Sequence, residues 1–161
     1  MNKLSTENYA NMEDLSTITT YQAGILQAST HRILQKHCDT ILKKYGLSKM
    51  QWLIIGTVYD SGKKGIRLTD LAKKLDTTMS YITVTINLLH SMGVISRKEN
   101  GIDSRSKLVS IDKDFMPKCA EIEKTMRESL RKSLYVHIKP EDLKVYLRVL
   151  YQLTALDKNN R

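Results

Sequence analysis

The apolar residues of this chain recur every three or four positions along most of its length, and this period predicts helices. It runs through residues 17–45, again through 50–92, and again through 115–157. Besides a short strand at 66–68, residues 94–98 and 107–111 look like strands instead, and a polar segment with an Asn-Gly turn signal lies between these two. The sequence therefore predicts a mainly α protein in which one small β-hairpin interrupts the helices.

Capping and turn residues predict where the helices begin and end. Gly46 lies just past the end of the first long helix, and Ser48 is a suitable N-cap for the second. Thr69 is predicted to cap a short helix, after a short strand at 66–68. Residues 76–78 are predicted to form a turn and the cap of the helix that follows.

The helical period also predicts the core. Ile82, Ile86 and Leu89 share one face of the helix after residue 78, at spacings of four and three. On the second helix Leu53 is expected to be buried, and Trp52, the only tryptophan, is expected to lie in the core. The opposite face of the helix after residue 78 is expected to be exposed, and its first turns carry Thr78, Met79, Ser80, Tyr81 and Thr83.

The charge is basic and unevenly spread. The chain of 161 residues has 26 Lys and Arg against 17 Asp and Glu, a net charge of +9. Residues 61–111 hold nine of the basic and four of the acidic side chains, a net charge of +5. This concentration indicates a polyanionic partner such as nucleic acid, although a merely basic, soluble surface explains the charge equally well.

Composition argues against several classes of protein. At 41% hydrophobic residues the chain is too apolar for a disordered protein, and it has no run of 18 apolar residues for a membrane span. The N-terminus lacks a secretory signal, so the expected location is the cytoplasm. We find no phosphate-binding glycine loop, nucleophile motif or recognisable carboxylate pair, so neither an enzyme nor a cofactor is expected.

Cysteine and histidine spacings do not predict a metal site. Cys38 and Cys119 are far apart without a Cys-x-x-Cys pattern, and the four histidines lack ligand spacing. For Cys38 two interpretations remain, a redox sensor or ordinary packing within the first helix. Packing is favoured because only Lys36 and His37 adjoin it as basic neighbours. Cys119 lies on an apolar stripe and is interpreted as packing.

The order of the predicted elements is typical of a winged helix-turn-helix. Two helices are separated by a short turn, and a β-ribbon with a basic loop follows. In such a domain the second helix enters the major groove, where base edges differ, while the ribbon reaches phosphates or the minor groove. The basic side chains expected to contact DNA are Lys73, Lys74, Arg97, Lys98, Arg105 and Lys107.

Four landmarks in order resemble the multiple antibiotic resistance regulator (MarR) family. They are LSKMQW at 47–52, Leu-Ala at 71–72 with Leu75, LHSMGVISR at 89–97, and Asp-Ser-Arg at 103–105. The most specific part is the Asp-x-Arg of the wing, with Arg97 six positions before Asp103. The resemblance extends from about residue 18 to about residue 156.

The resemblance implies a homodimer that binds pseudo-palindromic double-stranded DNA, with one recognition helix and one wing per subunit. By position, 78–92 matches the recognition helix, Arg105 the arginine that enters the minor groove, and Asp103 the acid that orients it, either alone or together with Arg97. The expected organisation is a flexible arm at 1–16, a dimerisation region at 17–46 and 113–158, and a DNA-binding domain at 47–112. Many members repress transcription and release DNA on binding a small aromatic anion or on cysteine oxidation, and a pocket between the two regions is expected.

One feature departs from the family pattern: there is no Lys or Arg between Lys74 and Arg97. Bidentate reading of guanine from the recognition helix is therefore excluded. Base reading is expected to rest on hydroxyls, Tyr81 and contacts with thymine methyl groups, and electrostatic affinity on the wing and its basic neighbours. The alternative function is a winged helix that binds proteins, with an incidental basic face.

Overall fold

The structure, a computed structural model, describes residues 18–98 and 108–159. It is mainly helical with one small sheet, which confirms the predicted fold class. A 3-10 turn follows each of the first two helices, at Lys43–Tyr45 and at Gly62–Lys64. The helices are α1 (Thr20–Leu42), α2 (Lys49–Asp60), α3 (Leu68–Lys74), α4 (Met79–Ser91), α5 (Met116–Ser133) and α6 (Pro140–Asn159), and the strands are β1 (Ile66–Arg67), β2 (Ile95–Lys98) and β3 (Leu108–Ile111).

Three of the four predicted caps are present. Gly46 takes a left-handed conformation, with φ at 67°, directly after the turn that ends the first helical segment. The side chain of Ser48 accepts from the amide of Gln51, and the Gln51 side chain accepts from the amide of Ser48, forming a capping box. Thr78 Oγ1 accepts from the amide of Tyr81 at 3.2 Å, so the start of α4 is fixed by its own sequence.

The predicted cap at Thr69 is wrong. Helix α3 begins at Leu68, and its N-cap is Arg67, whose side chain forms no capping hydrogen bond. Arg67 pairs with Leu108 in the sheet, so its backbone is already extended, at ψ 148°. The strand therefore passes directly into the helix, and its last residue serves as the cap.

The core lies between α2, α4, the sheet and α5. As predicted, Ile82, Ile86 and Leu89 of α4 are completely buried. The prediction for Leu53 is wrong, because its side chain is 42% exposed and Ile55 is buried in its place. Leu53 lines a groove between α2 and α5 rather than the core. Trp52 is partly buried and packs against the edge of the core.

The sheet is antiparallel, in the order β1-β3-β2. Strands β2 and β3 form the predicted hairpin, with Ile95 opposite Ile111 and Lys98 opposite Leu108. The predicted short strand before α3 is also present as β1, where Ile66 pairs with Val109. The hairpin is thus attached through β3 to β1, which leads directly into α3. The strand before the helix-turn-helix and the strand after it therefore belong to one sheet. Its tip, at 99–107, lies outside the described residues, as does the predicted arm at 1–16.

Helix α6 exposes eight large apolar side chains, more than any other described helix, and α1 exposes three. Of α1, only Ile41 and Leu42 are buried, and no residue of α6 up to Leu156 is buried. Over residues 18–98 and 108–159 no helix is long and apolar enough to cross a membrane. The exposed large apolar side chains of α1 and α6 are Tyr21, Ile25, Ile33, Val145, Tyr146, Leu147, Val149, Leu150, Tyr151, Leu153 and Leu156.

Gly65 fixes the approach of β1 to β3, and we predict that Gly65→Ala destabilises the fold strongly. Its φ and ψ are 75° and −179°, a region open essentially only to glycine, and an added Cβ would lie 2.8 Å from the carbonyl oxygen of Val109. We expect a loss of about 3 kcal/mol in the free energy of unfolding, measured by chemical denaturation at fixed protein concentration.

Gly46→Ala is the matched control. Gly46 also has a positive φ, but an added Cβ would meet nothing within 4 Å. That variant should therefore lose only about 1 kcal/mol, the conformational cost alone. Equal losses in the two variants would show that the approach to Val109 is not the constraint.

Candidate nucleic-acid interface

Helix α4 presents one face to solvent because its other face is committed to the core, and the exposed face carries both hydroxyl groups and apolar side chains. All five side chains predicted to be exposed at its start are exposed: Thr78, Met79, Ser80, Tyr81 and Thr83. The hydroxyl of Thr83 donates to the carbonyl of Met79 at 2.8 Å, which leaves its oxygen as an acceptor. The oxygen of Thr78 accepts from the Tyr81 amide, so its O–H remains a donor.

Sequence reasoning missed the centre of this face. Ser80, Val84, Asn87 and Ser91 follow one another at spacings of four, three and four, and all are exposed. Val84 is the most exposed large apolar side chain of α4, at 68%. The signal was present in the sequence, since these positions lie opposite the buried residues of the same helix.

The structure places Arg97 at α4 rather than out along the hairpin. From β2, the Arg97 guanidinium donates through Nη2 to Oδ1 of Asn87. Arg97 was predicted as a wing residue, and its hydrogen bond to α4 was not expected from the sequence. Lys98 ends β2, and Asp103, Arg105 and Lys107 lie outside the described residues.

The other predicted basic side chains flank the helix-turn-helix. Lys73 and Lys74 form the last turn of α3, just before the turn to α4, and both are exposed. Asp76, in that turn, has a positive φ of 48°. Lys64 and Arg67 are exposed on either side of Gly65, near the edge of the sheet. Cations thus precede α4 and follow it, while α4 itself has none.

A hydrogen-bonded junction joins the wing to α5. The hydroxyl of Ser96 donates to the Asp112 carboxylate, which also accepts from the amide of Asp114 at 3.0 Å. Chiefly because of the Ser96 hydrogen bond, the pKa of Asp112 lies below its usual value. The Asp112 amide donates to the carbonyl of Val94 at 3.0 Å. The start of β2 and the end of β3 are therefore held together at a fixed point just before α5.

The two cysteines lie in environments that disfavour the thiolate. Burial raises the pKa of Cys38, an effect that the positive charge of Lys49 offsets only in part. Burial raises the pKa of Cys119 to about 11. Since the thiolate is the reactive form, this environment does not support Cys38 as an oxidant sensor. Among the described residues no cluster of three or more His, Cys, Asp or Glu could hold a metal ion.

A groove of about 850 Å³ lies between α2 and α5. Apolar side chains, among them Trp52, Leu53 and Ala120, line part of it, and three acidic and three basic residues line the rest. One acid and one base are paired, with Arg127 Nη2 at 2.8 Å from Glu123 Oε1. The groove thus offers an aromatic, apolar surface with balanced charge, with α2 on one side and α5 on the other.

Comparison with known proteins gives one family and many similar folds. Residues 36–122 match the family described as transcriptional regulator SarA/Rot, which covers the helix-turn-helix, both wing strands and the start of α5. No curated protein sequence matches the chain significantly.

Three solved structures illustrate the shared fold. AbsC, a MarR family transcriptional regulator from Streptomyces coelicolor, has a TM-score of 0.75 at 18% identity, covering 88% of this chain and 97% of its own. Wild-type MarR from E. coli has a TM-score of 0.70 at 16% identity, covering 84% and 96%. MepR from S. aureus, in complex with DNA, has a TM-score of 0.69 at 17% identity, covering 86% and 98%. At these identities the likeness concerns the fold.

Proposed function

The chain belongs to the SarA/Rot family of transcriptional regulators, and from this membership we propose that it is a cytoplasmic homodimer that binds a pseudo-palindromic operator and represses transcription. The observation that carries the proposal is the exposed face of α4, which carries hydroxyls and apolar side chains, with the wing strands directly beside it. The wing, the last turn of α3 and β1 supply the cations. MepR, which shares the fold, is known in a complex with DNA, and this supports the same use of the fold here.

The composition of α4 indicates how it would recognise bases. Without Lys or Arg, the helix offers hydroxyls at Thr78 and Ser80 and apolar surface at Met79 and Val84. Hydroxyls bond either to donors or to acceptors, while apolar groups favour the methyl group of thymine. We therefore expect direct readout to rest on methyl contacts and shape, with most of the binding free energy contributed by phosphate contacts.

The homodimer is proposed from the apolar surface of α1 and α6. On α6, Leu147, Leu150 and Leu153 lie on a broad apolar face, and Lys144, Arg148 and Gln152 lie on the opposite side. A contiguous apolar face of this size marks an interaction surface in a soluble protein. A second copy of the chain would cover it and would place two recognition helices about one DNA turn, roughly 34 Å, apart.

Release by a small effector is the remaining part of the proposal. The groove between α2 and α5 fits a planar aromatic molecule because Trp52 and Leu53 line it. An effector that binds the groove more tightly in one orientation of the DNA-binding domain, relative to the dimerisation region, would favour that orientation. The spacing of the two recognition helices in the dimer would change as a result. Because the acidic and basic residues of the groove balance, we expect apolar contacts rather than net charge to select the ligand.

We predict a steep salt dependence of DNA binding, carried partly by Arg105. Fluorescence anisotropy with an operator duplex and a random duplex, over a series of salt concentrations, measures it. Arg105→Ala should weaken binding to both duplexes and lower the log–log slope by about one. Arg148→Ala, which removes the same charge from the polar side of α6, should change neither. A wild-type slope near zero would instead favour the protein-interaction module.

For the dimer, we predict that Leu150→Lys raises the dissociation constant at least about 100-fold, because each subunit would bury an unpaired charge at the interface. Sedimentation at micromolar concentration measures this, with circular dichroism to confirm retained helix. Gln152→Lys adds the same charge on the polar face and should remain dimeric. A wild-type chain that sediments as a monomer would contradict the proposal.

The effector groove contains the only tryptophan, so its occupation is directly measurable. We predict that an aromatic carboxylate such as benzoate changes the fluorescence of Trp52 saturably and lowers DNA affinity, whereas acetate does neither. Ala120→Phe, which fills the groove from α5, should abolish the benzoate response and keep DNA binding. If the response persists in Ala120→Phe, the ligand binds elsewhere.

A further inference from the structure

The hydrogen bond between Arg97 and Asn87 brings a cation to a helix that has none. No Lys or Arg lies between Lys74 and Arg97 in the sequence, so α4 carries no basic side chain except His90. The Arg97 guanidinium is exposed, and it donates to Oδ1 of Asn87 at the centre of the exposed face of α4. The cation that would ordinarily belong to the recognition helix is thus supplied by β2.

We propose that Asn87 is a positioning residue that holds the Arg97 guanidinium on the exposed face of α4, and that this guanidinium contacts a DNA backbone phosphate. The inference rests on the proposed DNA binding and assigns two residues within it. Asn87 acts through Arg97 and does not itself bind DNA.

The position of the pair along α4 favours a phosphate over a base. Asn87 lies nine residues after the N-cap Thr78, which is about 13 Å along the helix axis. The residues that reach base edges in such domains lie at the start of the recognition helix. A guanidinium carries five N–H donors, so those not used by Asn87 remain for the oxygens of a phosphate.

Residue 87 is an amide rather than a carboxylate, and this difference affects the charge available to a phosphate. A carboxylate there would form an ion pair with Arg97 and offset the charge that attracts a phosphate. The amide oxygen of Asn87 holds the guanidinium without neutralising it, and no carboxylate within residues 18–98 and 108–159 forms an ion pair with Arg97. Arg97 uses one of the two acceptor positions of Oδ1, so a two-bond contact of Asn87 with adenine would have to share that oxygen with the guanidinium.

A double-mutant cycle tests the proposal. Asn87→Ala, Arg97→Ala and the double variant are compared with wild type by anisotropy against a random duplex across salt concentrations. Arg97→Ala should lower the log–log slope by about one and weaken binding about eightfold at 0.1 M salt. Asn87→Ala should weaken binding about two- to threefold, with little change in slope, because the charge remains but is no longer held.

The diagnostic result is the absence of additivity. In the Arg97→Ala background, Asn87→Ala should have no further effect on affinity, since its only action is through the guanidinium. Asn87→Asp should lower the slope while Arg97 is present. Each substitution is at an exposed position, and thermal unfolding confirms that the variants are folded. Arg148→Ala again controls for loss of one positive charge.

Three results would overturn the inference. If Asn87→Ala weakens binding equally in the presence and absence of Arg97, Asn87 contacts DNA itself. If Arg97→Ala leaves the slope unchanged, the hydrogen bond only ties the wing to the helix. Either result refutes the inference and leaves the proposed function standing, whereas a wild-type chain that binds no duplex even at low salt refutes both.

Discussion

The burial of one face of α4 is the constraint on which the rest of the structure depends. Ile82, Ile86 and Leu89 are completely enclosed, and burying such side chains contributes about 1.5–3 kcal/mol each. A helix has only one opposite side, so the same burial decides which residues face outward. The exposed row from Ser80 to Ser91 is therefore fixed by the core rather than by any contact of its own.

The sheet places the wing strands beside this fixed helix. The exposed surface therefore has two parts, the outward face of α4 and the wing. Strand β3 pairs with β1, which leads into α3, and with β2, which follows α4. The Asp112 carboxylate, bonded to Ser96 and to the Asp114 amide, then fixes the point where the sheet passes into α5. A displacement of α5 would thus be transmitted to the base of the wing, and this supplies a physical route from the proposed dimerisation region to the proposed DNA surface.

Much of this arrangement could be predicted from the sequence, because periodicity and capping are local. The helices, the hairpin and the exposed start of α4 followed from spacing alone. Leu53 was misplaced because a period of 3.6 residues locates a face only to within about one residue, and Ile55 borders the same stripe. Thr69 was misjudged because pairing of Arg67 with a strand some forty residues away decides where α3 begins.

The contact between Asn87 and Arg97 shows why the site was harder to predict than the fold. Neither residue is unusual for its own element, and ten positions separate them across a turn and a strand. Their meeting depends on the register of β2, which Ile95 and Ile111 set by pairing in the sheet and by burial in the core. The absence of Lys and Arg from α4 is therefore compatible with DNA binding. The apolar packing that orients the helix also carries a cation from the neighbouring strand to its exposed face.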